Sequence, residues 1–119
     1  MEPRATLILA ATVAILAAGV PGASAYLIDP GPPPTAKAAK RWVKNWCKLK
    51  PGFSRRHVNT LMGKPTGHDA DSANWVGFGY HLSAFYDEYA RVIQLDINDL
   101  GMSKRQRARL KCASTRSAD

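Results

Sequence analysis

An unbroken apolar run near the start of the chain, Ala5 to Val20, limits how many residues remain to fold. Pro21-Gly22 ends any helix there, and Ala23-Ser24-Ala25 supplies the small side chains that a signal peptidase accepts. The run is shorter than the roughly 20 residues that a membrane-spanning helix needs. The pattern predicts a secretory signal peptide over residues 1–25, cleaved between Ala25 and Tyr26. Because the low-charge stretch extends to Ile28, an uncleaved N-terminal membrane anchor is the alternative.

Removal of the signal leaves residues 26–119, which suffice for one small domain but not for two cores. The stretch from Tyr26 to Pro34 is rich in proline, which disfavours helix and central strand, and it predicts an extended tether. We place a compact domain at residues 35–112 and a disordered tail at residues 113–119. The predicted location is secreted or extracytoplasmic, with membrane anchoring only through a retained N-terminal segment.

Positive charge dominates the chain, which has a formal net charge of +8. Lysine and arginine are concentrated in residues 35–67 and 104–111, and neither segment contains an acidic residue. A basic balance of this kind favours anionic partners such as phosphate polymers, lipid head groups or acidic proteins. The alternative is that these side chains only solvate helix faces.

The chain contains two cysteines, Cys47 and Cys112. In an exported chain a lone pair predicts a disulfide, and two buried free thiols are the alternative. Residues 104–111 predict a short final helix that ends near Cys112 and has little apolar surface. A covalent link from Cys112 to the helix predicted around Cys47 is therefore favoured. Cys-x-x-Cys spacing is absent from the sequence, which argues against a redox motif or a zinc site.

Helical periodicity fills the first part of the predicted domain. Thr35 is a good N-cap, and apolar residues then recur at i, i+3, i+4 and i+7. Ser54 is the predicted N-cap of a second helix, and Ser103 with Gln106 forms a capping box for a short final helix. The apolar stripe of the first helix consists of Ala39, Trp42, Val43 and Trp46.

Aromatic and β-branched residues dominate the middle of the chain and predict strands at residues 73–78, 82–87 and 91–97. In the last strand, Ile93, Leu95 and Ile97 alternate and are predicted to share one face. Sequential antiparallel strands with helices on one side make an α+β two-layer sandwich. The predicted fold therefore has two N-terminal helices packed on a three-stranded antiparallel sheet, followed by a short C-terminal helix.

The block from Leu49 to Pro65 resembles the L-x-x-G-M-S/T-x-x-x-V-x-x-x-L-G-x-P motif of the SmpA/OmlA (BamE-like) domain family. The fold of that family recurs in secreted β-lactamase inhibitory proteins, and this chain looks like a single-block, actinobacterial-type exported member. It lacks a lipobox cysteine and a second block, so neither lipid anchoring nor a two-domain inhibitor surface is implied. Ala90 also stands where the resemblance implies a hairpin glycine. The motif residues are Gly52, Phe53, Ser54, Val58, Leu61, Gly63 and Pro65.

The residues that could carry chemistry form no catalytic constellation in the sequence. The three histidines fall at no metal-ligand spacing, and the carboxylates at Asp69, Asp71 and Asp87 lie in polar loop or turn segments. Ser54 and Ser103 are better explained as helix caps than as nucleophiles. We therefore predict a protein that is not an enzyme, with no cofactor and no metal site.

Aromatic residues crowd into the predicted sheet, and a sheet covered by helices on one side leaves its other face open. Rings on that face would suit a protein partner, and pairing among themselves for stability is the alternative. We predict an exported interaction module that binds a protein partner in the cell envelope or outside the cell. The alternative is a basic binder of anionic envelope polymer or membrane surface; specific nucleic-acid binding is not predicted. The candidate partner-binding residues are Trp75, Phe78, Tyr80, Phe85 and Tyr86.

Overall fold

The computed structural model describes residues 32–118. The predicted signal peptide, its cleavage site and residues 26–31 of the predicted tether lie outside this range. None of the described helices is long and apolar enough to cross a lipid bilayer. In chain order the elements are α1 (Ala36–Trp46), α2 (Arg55–Met62), β1 (Gly67–His68), β2 (Ser72–Gly77), β3 (Tyr80–Tyr86), β4 (Val92–Ile97), α3 (Lys104–Arg109) and β5 (Thr115–Ser117).

Helix α1 begins where the sequence predicts it. The Thr35 hydroxyl accepts a hydrogen bond from the Ala38 amide at 3.1 Å. This bond satisfies one of the N–H groups that the start of a helix leaves without an intrahelical partner. The buried stripe of the helix, Ala39, Trp42 and Trp46, joins the same apolar core as the sheet. Burial therefore holds α1 in place.

Helix α2 is capped at both ends. The Ser54 hydroxyl accepts a hydrogen bond from the His57 amide at 3.1 Å, which confirms the predicted N-cap. At the other end Gly63 has a φ of 84°, a left-handed conformation that glycine adopts without a steric penalty. Val58 and Met62 form the buried edge of the helix.

The five strands form one antiparallel sheet in the order β1-β2-β3-β4-β5. The hairpin of β2 and β3 closes where Gly77 pairs with Tyr80. Phe78 and Gly79, the two residues between them, both have positive φ, which is the geometry of a type I′ turn. The predicted fold of two N-terminal helices on a three-stranded sheet is therefore corrected, because the sheet has five strands.

The two strands that the sequence did not predict are the edges of the sheet. Strand β1 has only two residues, which is too short for any alternation to be visible, and its Gly67 pairs with Asn74. Strand β5 has the sequence Thr-Arg-Ser, and its Arg116 pairs with Leu95 of β4. Residues 113–119, predicted as a disordered tail, thus include an ordered strand.

Strand β4 contains a β-bulge where its register with β3 shifts. Because of this extra residue, Val92 takes the inward position with Leu95 and Ile97, and all three are buried. Ile93 is 44% exposed. The prediction that Ile93 shares the inner face is wrong, because a one-residue insertion reverses the direction of the side chains that precede it.

The C-terminal segment, residues 103–117, begins with the predicted capping box. The Gln106 amide donates to the Ser103 hydroxyl, and the Ser103 amide donates to the Gln106 side chain. None of the residues of α3 is buried, and Leu110, just beyond the helix, is the buried residue of this region. The predicted disulfide between Cys47 and Cys112 is confirmed, and it joins the end of α1 to this segment.

Candidate functional site

The five candidate partner-binding aromatics are divided between the core and the surface. Trp75 is fully buried, and Tyr80 and Tyr86 are almost fully buried among the residues of the core. Only Phe78 and Phe85 are exposed, by 52% and 37%. The five rings therefore do not form one surface, and three of them are not available to a partner.

The open face of the sheet, which we define as the outward side of β2, β3 and β4, is polar at its centre. The Ser83 hydroxyl donates a hydrogen bond to Asn74 Oδ1 at 2.7 Å. Nearby, the Gln94 amide donates to both carboxylate oxygens of Asp96, at 3.0 and 2.9 Å. Partly exposed apolar side chains lie towards the two ends of this face: Val76, Phe85 and Ile93.

The block from Leu49 to Pro65, which carries the family resemblance, forms a turn and a helix beside the start of β4. Gly52 has a φ of 96°, and its amide donates to the Val92 carbonyl at 2.8 Å. The Phe53 carbonyl accepts a hydrogen bond from the Val92 amide at 2.9 Å, and the Phe53 ring stacks on His57. Ala90 has a φ of 59°, so the position where the resemblance implies glycine does adopt the left-handed conformation. The other block residues cap, pack or follow α2: Ser54, Val58, Leu61, Gly63 and Pro65.

The side chains that could carry chemistry are held in structural roles. The Ser54 and Ser103 hydroxyls accept helix amides. The Asp69 carboxylate accepts hydrogen bonds from the Ser72 hydroxyl at 2.9 Å and the Asp71 amide at 3.1 Å. These bonds hold the pKa of Asp69 below its ordinary value. Within residues 32–118, no group of three or more His, Cys, Asp or Glu side chains is placed to hold a metal ion.

Several arginines cap backbone carbonyl groups. The Arg41 guanidinium donates to the carbonyls of Thr60 and Leu61 at the end of α2. Arg116 donates to the Trp46 carbonyl at the end of α1, and its guanidinium lies 5.4 Å from the centre of the Trp46 ring. Cations are favourable at these positions because the C-terminus of a helix carries partial negative charge. Arg41 thus has a structural role, although it is one of the exposed basic residues of α1.

Most of the lysines, by contrast, extend into solvent. We call the outward surface of α1, α2 and α3 the basic layer, and these three helices contain no aspartate or glutamate. The charged side chains of these three helices are therefore all cations. Besides Arg41, its exposed basic residues are Lys37, Lys40, Lys44, Arg56, Lys104, Arg105 and Arg109.

A groove of about 530 Å³ opens between α1, the β2–β3 turn and α3. One helical stripe of α1, with the spacing i, i+3, i+4 and i+7, forms its first wall. Phe78 and Tyr80 form the second wall, and Gln106 and Arg109 of α3 form the third. Of the lining residues in the described part of the chain, two are cationic and none is acidic. The α1 stripe consists of Ala36, Ala39, Lys40 and Val43.

The turn that forms the second wall is fixed by α3. The Gln106 side-chain amide donates to the Phe78 carbonyl at 2.6 Å. A Cβ at Gly79 would lie 2.7 Å from Gln106 Oε1, so a side chain there would displace the Gln106 amide from the turn. Phe78 itself has a φ of 54°, a conformation that costs about 1–2 kcal/mol for a residue with a side chain. The position of the Phe78 ring therefore depends on the C-terminal segment.

Sequence reasoning missed both the groove and the arginine caps. The groove joins three segments that are far apart in the chain, and single-sequence periodicity does not indicate which turn meets which helix. Its one local signal is the regular spacing of the α1 stripe, which predicts a helix face but not what lies opposite. Comparison with known proteins adds no relative: no protein-family model, curated protein or solved structure matches the chain. The resemblance to the SmpA/OmlA family therefore stays a prediction.

Proposed function

We propose that the chain supplies an exported, non-enzymatic binding domain whose basic layer binds a polyanionic component of the cell envelope. The observation that carries this proposal is a layer of three helices that contain lysine and arginine and no acid. Positive charge concentrated on one side of a small domain raises the local concentration of anions. The proposal includes no catalysis. In support, the Ser54 and Ser103 hydroxyls cap helices, and the Asp69 carboxylate accepts a hydrogen bond within its own loop.

Export is the second part of the proposal. Disulfides persist in oxidising compartments, so the bond between Cys47 and Cys112 supports a location outside the cytoplasm. The signal-like sequence of residues 1–25 supports the same location. We expect the mature protein to begin at Tyr26. N-terminal sequencing of the cell-associated and released fractions checks this, and a start before Val20 would establish a retained anchor instead.

Polyphosphate binding at two salt concentrations tests the proposed ligand class. If six or more phosphates are contacted, the affinity should fall about 10³-fold between roughly 50 and 200 mM salt. At low salt, the double variant Lys37→Gln with Lys44→Gln should bind polyphosphate more weakly than the wild type. The matched control, Lys37→Arg with Lys44→Arg, keeps the charge and should bind normally. Arg41 stays unchanged because its loss would remove the cap of α2. Binding that depends on neither salt nor these lysines would contradict the proposal.

A protein partner on the open face of the sheet is the second candidate function. Its specific support is the partial exposure of Val76, Phe85 and Ile93 by 43%, 37% and 44%. Such a contact should survive high salt, because burial of apolar surface does not depend on charge screening. Capture from envelope extracts that persists at high salt, and is lost when Phe85 and Ile93 are both changed to Ser, would favour this candidate over the polyanion.

A further inference from the structure

The groove between α1, the β2–β3 turn and α3 has the composition of a small-molecule site. Its volume of about 530 Å³ lies within the roughly 300–1,000 Å³ usual for ligand pockets. Such pockets are mostly apolar and contain a few polar groups that orient the ligand. Three of the lining residues are polar or charged here: Lys40, Gln106 and Arg109. The remaining ones are Ala36, Ala39, Val43, Phe78 and Tyr80.

The two cations define the charge that the groove would accept. Lys40 belongs to the α1 wall and Arg109 to the α3 wall, and both are exposed. Among residues 32–118, no acidic side chain lines the groove, and neither helix contains one, so these cations have no carboxylate beside them on their own elements. An anionic group at the groove would thus meet positive charge from both helical walls, while the apolar walls would receive a hydrocarbon body.

The wall formed by the turn carries two unfavourable features side by side. The Tyr80 side chain is 4% exposed, and its hydroxyl has no hydrogen-bond partner within residues 32–118. An unpaired buried hydroxyl costs about 1–3 kcal/mol. Phe78 adds a left-handed backbone, although its ring is half exposed. Strained and unsatisfied groups persist where the surrounding structure enforces them, and they cluster at binding sites.

From these features we infer that the groove binds a small apolar monocarboxylate, with its hydrocarbon chain along the apolar walls and its carboxylate at Lys40 and Arg109. This inference rests on the proposed anion preference of the basic layer and assigns a second, low-molecular-weight ligand to one part of it. A polymer needs only exposed charge. The groove ligand needs the α3 wall as well, and that wall is held by Gln106 and the Cys47–Cys112 disulfide.

Nuclear magnetic resonance titration with octanoate, 1-octanol and acetate separates the contributions of chain and charge. Octanoate should bind saturably, more tightly than either of the other two, and shift the amide signals of Lys40, Phe78 and Gln106. Octanol lacks the carboxylate and acetate lacks the chain, so each should bind weakly. Ala36→Phe, which fills the groove from an exposed position, should abolish these shifts without disturbing the core.

A pair of charge variants localises the carboxylate. Lys40→Gln with Arg109→Gln should weaken octanoate binding about fivefold to tenfold, as expected for the loss of two partly exposed ion pairs. Lys48→Gln with Lys111→Gln removes the same charge at exposed positions outside the groove and the basic layer, and it should leave the affinity unchanged.

Three results would overturn the inference: equal affinities for octanoate and octanol, equal loss in both charge variants, or signal shifts confined to the open face of the sheet. Polyphosphate binding in the same samples keeps the two proposals apart. If octanoate fails and polyphosphate still binds through Lys37 and Lys44, only the groove ligand is rejected. If octanoate binds as expected and polyphosphate does not, only the polymer is rejected.

Discussion

Two parts of this molecule are stabilised by different interactions. In the first, formed by α1, α2 and the inner face of the sheet, Trp42, Trp46 and Trp75 are fully buried in one apolar core. In the C-terminal segment, α3 buries no residue. That segment is held by a disulfide, by the Gln106 bond to the turn, by Arg116 at the end of α1, by the pairing of β5 with β4 and by the one buried leucine that follows α3. Covalent and charge-assisted bonds can therefore help to fix a segment that buries too little apolar surface to be retained by burial alone.

The candidate groove lies where these two parts meet. The core supplies its α1 wall and its turn, and the C-terminal segment supplies α3. Loss of the bonds that hold α3 should therefore open the groove while the core remains folded. The difference between the two parts can be tested by changing one residue at a time and comparing the free energies of unfolding.

The largest expected effect is in the core. Trp75→Ala should destabilise the domain by about 3–5 kcal/mol, because the ring is fully buried and its indole N–H donates to the Gly63 carbonyl at 3.1 Å. Phe85→Ala on the open face is the control and should cost about 1 kcal/mol or less, since its ring is 37% exposed. Urea unfolding of both variants measures the difference. Equal costs would contradict the assignment of the two faces.

A smaller loss is expected at the bond between the two parts. Arg116→Met should cost about 1.5–3 kcal/mol, because it removes the charged donor that the Trp46 and Leu49 carbonyls share. Arg116→Lys keeps the charge but not the two-armed donor, and it should lie between the wild type and Arg116→Met. Thermal unfolding of the three proteins checks this order. A wild-type melting temperature for Arg116→Met would show that the pairing of β5 with β4 holds the strand without this bond.

Tyr86 links stability to alkaline pH. Burial raises its pKa from 10.0 to about 12, an effect that the nearby Arg55 cation partly opposes. The folded state therefore favours the neutral phenol. The stability that depends on this neutral form is complete below pH 10 and is lost as the pH rises towards 12. Tyr86→Phe should abolish that part of the alkaline loss. It should not lower stability at neutral pH, because the hydroxyl is buried without a partner among the described residues. Unfolding of both proteins across this range checks the sign, and identical pH profiles would contradict it.

The smallest expected effect is a gain. Ala90 holds a φ of 59°, so Ala90→Gly should stabilise the domain by about 1 kcal/mol or less, with relief of strain offset by the greater flexibility of the unfolded chain. The same substitution within α1, Ala38→Gly, should instead cost about 1 kcal/mol. Denaturant unfolding distinguishes the opposite signs. A loss of stability at both positions would mean that Ala90 is not strained.

Local interactions account for what the sequence predicts well. Each N-cap, at Thr35, Ser54 and Ser103, involves a side chain and an amide three residues apart, so a short window contains the whole interaction. The disulfide was also predictable, because only two cysteines are present and the helix before Cys112 has little apolar surface. These features do not require knowledge of the tertiary structure.

The features that the sequence does not predict depend on contacts between distant segments. Strand β5 is recognisable only from its pairing with β4, since Thr-Arg-Ser has no strand pattern of its own. The inward position of Val92 depends on its register with β3, and the separation of the aromatic rings follows from the same pairing. The structural role of Arg41 likewise requires the end of α2 beside it. Single-sequence periodicity contains none of this information.

Hydrogen exchange of the oxidised and reduced protein tests the central claim. We claim that the C-terminal segment depends on the disulfide and on specific hydrogen bonds, whereas the core is stable without that segment. Breaking the bond between Cys47 and Cys112, which are 65 residues apart, removes a constraint that contributes about 4 kcal/mol in the chain-entropy model. We predict that reduction exposes the amides of α3 and β5 to exchange while β2 and β3 keep their protection, and that octanoate binding is lost at the same time. Unchanged protection of α3 and β5, or an equal loss of protection throughout the sheet, would contradict this claim.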